Sequence, residues 1–266
     1  MSNQNPYAPP SSPVFDQQER PVAGETAFSQ EGVRRPAGHG WAWYKQAWQV
    51  FKQQPLKWWL ALIVGFGVLF TVTLLPFVNL LTSLLFPIVS AGLGTCAASV
   101  QQNGHFRLAQ VFDGFRKRPG ALALAGAIYM CVMLGLMGVL SVVFHVPGLL
   151  TAFTGGWGAQ QASAQMFAQQ GGLFFLAYFG VMMLAMSCIA FAPYLIHEHG
   201  LSAPQAIIAS TSGSLRNLPA GLFAMLCYLL LAIAATIPLG LGWLVLLPVL
   251  FLTMYTAYQD IYHSPA

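Results

Sequence analysis

The chain has 266 residues, of which 56% are hydrophobic and only 7% charged, and its formal net charge is +4. A soluble domain carries about 25% charged residues, so water would not hold this sequence folded as a monomer, and its solvent is lipid. The positive balance does not point to nucleic acid, because the basic residues sit beside aromatic ones at the ends of apolar runs, where lipid headgroups lie.

Residues 1–38 are rich in Pro, Ser, Gln, Gly and Glu and have no apolar period. That composition predicts a disordered, solvated cytoplasmic tail, with a polyproline II docking segment at NPYAPP as the alternative. A transmembrane domain follows over residues 39–266. It opens with an amphipathic helix over about Trp41 to Gln54. Trp41, Trp43, Tyr44, Trp48 and Phe51 give it aromatic surface, and Lys45, Lys52 and Lys57 lie nearby. Rings at headgroup depth with lysines reaching phosphate mark a helix lying in the membrane interface. Trp58 and Trp59 then begin the aromatic belt of the first span.

Six apolar runs follow, over about 56–75, 80–100, 121–144, 173–196, 220–237 and 241–257. The first two are each long enough to cross about 30 Å of hydrocarbon at about 1.5 Å per residue. Pro87 and Pro248 predict kinks in the second and sixth. Small residues at Ser90 to Thr95, and at Ala121, Ala125, Gly135 and Gly138, predict close helix packing. The uncharged stretch 145–172 predicts a loop with a short helix near Gln160 to Gln169. The first run starts only after Pro55, so the first span acts as its own uncleaved insertion signal.

The segment before the first span has a counterpart before the third. Gly40 to Pro55 and Gly104 to Pro119 have the same spacing of 15. Tyr44, Ala47, Trp48 and Phe51 match Leu108, Val111, Phe112 and Phe115, a set at i, i+3, i+4, i+7 on one helical face. A basic residue follows each set, and a proline comes three residues later. Leu215, Arg216 and Pro219 form a third, degenerate copy. Chance predicts about 0.7 cases of a base three residues before a proline, and three occur. The reading is an all-α polytopic membrane protein with six spans as three hairpins, each preceded by an amphipathic interfacial helix. Phe51 and Phe115 are expected to be equivalent buried anchors, with Phe106 off that face.

All 11 Lys and Arg and all 7 Asp and Glu fall before Trp58, in 101–118, in 197–218 or at the C-terminus. With six spans these regions share one side, and the positive-inside rule puts both termini in the cytoplasm of a bacterial inner membrane. Arg116, Lys117 and Arg118, together with Arg216 and Tyr258, join the residues assigned to the interface.

No assigned span holds Asp, Glu, Lys or Arg, which argues against a proton-coupled carrier. HExxH, Walker A and GxSxG motifs are absent. His197-Glu198-His199 is the one metal-like cluster, and it needs further ligands from His39, His105 or Asp260. Polar residues leaving the membrane are the preferred reading, so no catalytic, cofactor or metal residue is assigned. The four cysteines read as small buried hydrophobes.

The NPYAPP start, the AW-x-x-F-K-x-x-P entry from Ala47 to Pro55 and the closing TAYQDIY resemble a group of uncharacterised bacterial six-span integral membrane proteins with a proline-rich leader. The hairpin plan is more loosely similar to the membrane domains of some glycerophosphodiester phosphodiesterases. Neither resemblance implies an activity. The expected function is non-enzymatic: a structural or interaction module binding anionic lipid headgroups, a partner protein or a second copy of itself, without nucleic acid. The alternative is a channel or carrier for a neutral or amphipathic solute, lined by the kinked helices.

Overall fold

Pro55, Pro119, Pro193, Pro204 and Pro219 each stand in the first turn of a helix, where a missing N–H is no loss. A computed structural model describes residues 26–73, 79–146, 149 and 170–265. Helix α1 is His39–Phe51, α2 is Pro55–Thr73 and α3 is Asn79–Asn103. A 3-10 helix, Leu108–Phe112, leads into the short α4, Asp113–Arg116. Then come α5 (Pro119–Val143), α6 (Gly172–Ile189), α7 (Ala192–His199) and α8 (Ala203–Arg216). Helices α9 (Leu218–Thr236) and α10 (Trp243–Tyr262) complete the set. Two three-residue strands, β1 (Thr26–Phe28) and β2 (His263–Pro265), pair antiparallel with Phe28 opposite His263.

Among the described residues, five stretches are long and apolar enough to cross a membrane: α3 from Thr82, α5, the α6–α7 stretch, α9 and α10. Helix α2 is also apolar. The expected run at 173–196 is divided, because the α6 helix ends at Ile189 and α7 restarts with Pro193 in its first turn. Pro87 and Pro248 do lie inside α3 and α10. The short helix expected near Gln160 lies outside the described residues.

The segments before the prolines pack mainly on helices other than the ones that follow them. Helix α1 packs on α9 and α10; the 3-10 helix packs on α3 and α2, and α4 on α3; α8 packs on α6, α7 and α5. Each therefore rests on the helical pair that precedes it, except α1, which takes α9 and α10. Direction follows from single contacts. His39 meets Asp260, Thr256 Oγ1 donates to the Trp43 carbonyl at 3.0 Å, and Trp48 shares a cavity with Val245 and Val249. Helix α1 thus runs antiparallel to α10. The second segment runs antiparallel to α3 in the same way, with Gln110 on Ser99, Val111 on Gly92 and Gly114 on Ile88.

That arrangement explains which small residues matter. The Val111 carbonyl occupies the space a side chain on Gly92 would need; the Ile88 carbonyl does so at Gly114 and the Ser83 carbonyl at Gly126. Gly94 lies against the Tyr194 ring. The packing expected at Gly135 and Gly138 is not seen, because among the described residues nothing approaches either within 4 Å. They sit on the part of α5 that joins α6 in a separate cluster of Met133, Met137, Leu140 and Phe174.

The repeat survives as packing order and fails in detail. Ala47 and Val111 are both buried. Phe51 is also buried, at 5% exposure, whereas Phe115 is 37% exposed. The first copy is one 13-residue helix. The second breaks at Asp113-Gly114, where the close approach of Ile88 demands glycine. Phe106, expected off the buried face, packs edge-on against Trp58 with ring centroids 5.0 Å apart. The third copy, the least regular in sequence, is a full helix of 14 residues, started by a capping box of Ser202 and Gln205.

Candidate functional site

The apolar stripe of α1 is Gly40, Trp43, Tyr44, Ala47, Val50 and Phe51, spaced three or four apart and buried throughout. Gly40 lets α1 press against Ala220 and Ala224 of α9. Trp41, Lys45 and Trp48 lie at the edge of this stripe. With Leu231 and Ala235 of α9 and Val245 and Leu246 of α10 they border an apolar groove of about 410 Å³. A second apolar cavity, of about 160 Å³, lies between α3 and α10 near Pro193, lined by Phe86, Ser90, Leu250 and Phe251.

The residues assigned to the membrane interface divide accordingly. Trp41, Lys45, Trp48, Lys52, Lys57, Phe112, Phe115, Arg116, Lys117, Arg118 and Arg216 are exposed. Trp59 is half-buried and donates its indole N–H to the Leu244 carbonyl at 2.6 Å. Trp43, Tyr44, Phe51, Trp58 and Tyr258 are core, and Tyr258 is fully buried. Their amphipathic chemistry suits an interface equally well; only the partner helix decides. Burial against α9 pushes the Tyr44 phenol up to about 12. Among the basic residues, Arg118 donates to the Gly200 carbonyl and Arg216 pairs with Glu31 at 3.0 Å.

Two polar clusters at the chain ends were not legible in the sequence. The first centres on Asp260. Its carboxylate takes Arg35 Nε at 3.1 Å, His39 Nδ1 at 2.8 Å and the Trp43 indole N–H at 2.8 Å. Arg35 also donates to the Asp260 carbonyl at 2.9 and 2.6 Å. Beside it the buried Asn217 accepts from the Arg35 backbone at 2.7 Å and donates to the carbonyls of Val33 and Gly213. The described end of the expected tail, 26–38, is therefore held by specific bonds.

The second cluster gathers Glu198 and His199 from α7, Tyr258 from α10 and His263 from β2. The Tyr258 hydroxyl donates to Glu198 Oε2 at 3.0 Å and lies 2.8 Å from His199 Nε2. Phe28 of β1 stacks on the His199 ring at 3.6 Å. Neither His39, His105 nor Asp260 joins this group: His39 is taken by Asp260, and His197 turns to Thr95 at 3.0 Å. Instead His263 joins Glu198 and His199, with one ligand atom from each residue within 4.8 Å of the others. Burial holds the His263 imidazole below the usual histidine range, partly offset by the nearby Gln259 carbonyl. Its Nδ1 is buried and makes no hydrogen bond among the described residues.

No protein-family model, curated protein or solved structure matches this chain.

Proposed function

We propose that the chain is a non-enzymatic, six-span protein of a bacterial inner membrane, with both termini in the cytoplasm, that binds anionic lipid along α1. The groove beside α1 carries this reading: apolar walls suit an acyl chain, Trp41 and Trp48 suit the headgroup boundary, and Lys45 between them suits a phosphate. Polar contacts hold both ends of the segment. His39 meets Asp260 at one end, and Gln54 donates to the Gly104 carbonyl at 2.8 Å just past the other. The sixth span is α2, whose 19 residues rise about 28 Å. Both cavities beside α10 are apolar and expose few polar groups to guide a solute, which favours an interaction module over a channel or carrier for a neutral or amphipathic solute. A protein partner or a second copy would use the same exposed basic and aromatic edge.

The test is lipid competition in nanodiscs, with anionic and zwitterionic lipid mixed and the retained lipid measured by mass spectrometry. Lys45→Gln should lower the anionic preference about 5-fold, from about 1 kcal/mol per basic residue at the surface. Lys52→Gln, outside the groove, should change it less. Equal effects, or none, would refute the groove. Orientation is tested separately in a cysteine-free background: a thiol placed at Gln161 should label from outside spheroplasts and one at Gln110 should not.

A further inference from the structure

Two histidines and a carboxylate brought to one place from more than 60 positions apart need a reason. Glu198 and His199 end α7, and His263 follows α10, so nothing local in the sequence forces them together. Their ligand atoms lie within 4.8 Å of one another. The set has two imidazoles, one carboxylate and no thiolate, which is the donor composition of open zinc centres, where water takes the fourth position.

We propose that Glu198, His199 and His263 form a divalent-metal site, with zinc as its ion, that fastens the C-terminal strand to the end of α7. Ligand atoms of a tetrahedral zinc ion sit about 3.3 Å apart. Binding therefore draws these groups together by up to about 1.5 Å, which is within the reach of side-chain rotation. Glu198 is exposed, so an ion enters from its side. His263 offers a nitrogen that no hydrogen bond occupies. Tyr258, fully buried, donates to the carboxylate and so orients a ligand, the usual task of a group behind a metal's direct partners. Because Phe28 stacks on His199 and pairs with His263 in the strand ladder, the ion would also hold β1 in place.

The experiment uses the full chain without a histidine tag, stripped with EDTA in detergent, titrated with Zn2+ or Co2+ and passed through gel filtration. The expected result is about one zinc retained per chain, and a cobalt visible spectrum of a four- or five-coordinate N/O site. His263→Gln, His199→Ala and Glu198→Gln should each weaken binding by more than about 100-fold. Tyr258→Phe, which keeps the ring, should weaken it by roughly 10–100-fold. Retention no greater than in the triple variant would overturn the site, as would binding that all three substitutions leave unchanged. Should the variants fail to fold, X-ray absorption on the zinc-loaded wild-type chain decides: two imidazoles with oxygen support the site, and sulfur or a single imidazole refutes it.

Discussion

Asp260→Ala should be among the most damaging single changes in the chain. Its carboxylate is 14% exposed and holds three donors, Arg35, His39 and Trp43. Arg35 keeps its two bonds to the Asp260 carbonyl, so losing the ion pair falls at the low end for a charged hydrogen bond, about 1.5 kcal/mol. The Trp43 indole N–H is buried and loses its acceptor, which costs about 2 kcal/mol. His39 is 35% exposed and adds about 0.5 kcal/mol. The sum is about 4 kcal/mol, and sharing one acceptor brings the expected loss to about 3 kcal/mol. At 2–4 °C per kcal/mol the melting temperature in detergent should fall by about 6–12 °C. Asp260→Asn keeps an acceptor for Trp43 and should lose about half as much. The assay is tryptophan fluorescence on heating, with Lys52→Ala as an exposed control. If Asp260→Ala melts with that control, or a double-mutant cycle with Arg35→Ala shows no coupling, the carboxylate is not what holds the N-terminal segment.

Phe51→Ala removes a buried ring and should cost about 3 kcal/mol or more, whereas the exposed Phe115→Ala should cost under about 1 kcal/mol; equal losses in thermal melts would restore the equivalence the sequence suggests. Gly114→Ala and Gly126→Ala push a Cβ into a neighbouring carbonyl and should lower yield and melting temperature. Gly135→Ala meets open space and should be neutral or stabilise by up to about 1 kcal/mol through helix propensity.

Local signals were readable and long-range partners were not. The helix starts at Pro55 and Pro119 are written in the chain, and the membrane character is written in its composition. The close approach at Gly92 and Gly94 was also visible as a run of small residues. The same rule misread Gly135 and Gly138, because a small residue only permits a neighbour and does not supply one. The face of α1 was nearly right, but its true centre lies at Trp43 and Ala47, and nothing in residues 39–51 names α9 and α10 as the partners. Ser202 and Gln205 spell a helix start that lies outside the spacing of the repeat. The partners of His263 and Asp260 were not readable because they lie 60 or more positions away; His39 stands 221 residues before Asp260.

The resting place of α1 also sets a timetable. At about 5–20 residues per second, Asp260 leaves the ribosome roughly 10–45 s after His39, a lag set by their separation of 221 positions. Throughout that interval the earliest helix of the domain has its stripe of Trp43, Ala47 and Phe51 made and its cradle unmade. The membrane surface is the one apolar phase then within reach. The first helix to be synthesised is thus among the last to dock, and a ribosome that stalls before α10 leaves behind a nascent chain whose oldest helix is still unseated, the kind of exposed apolar face that quality-control proteases can grip.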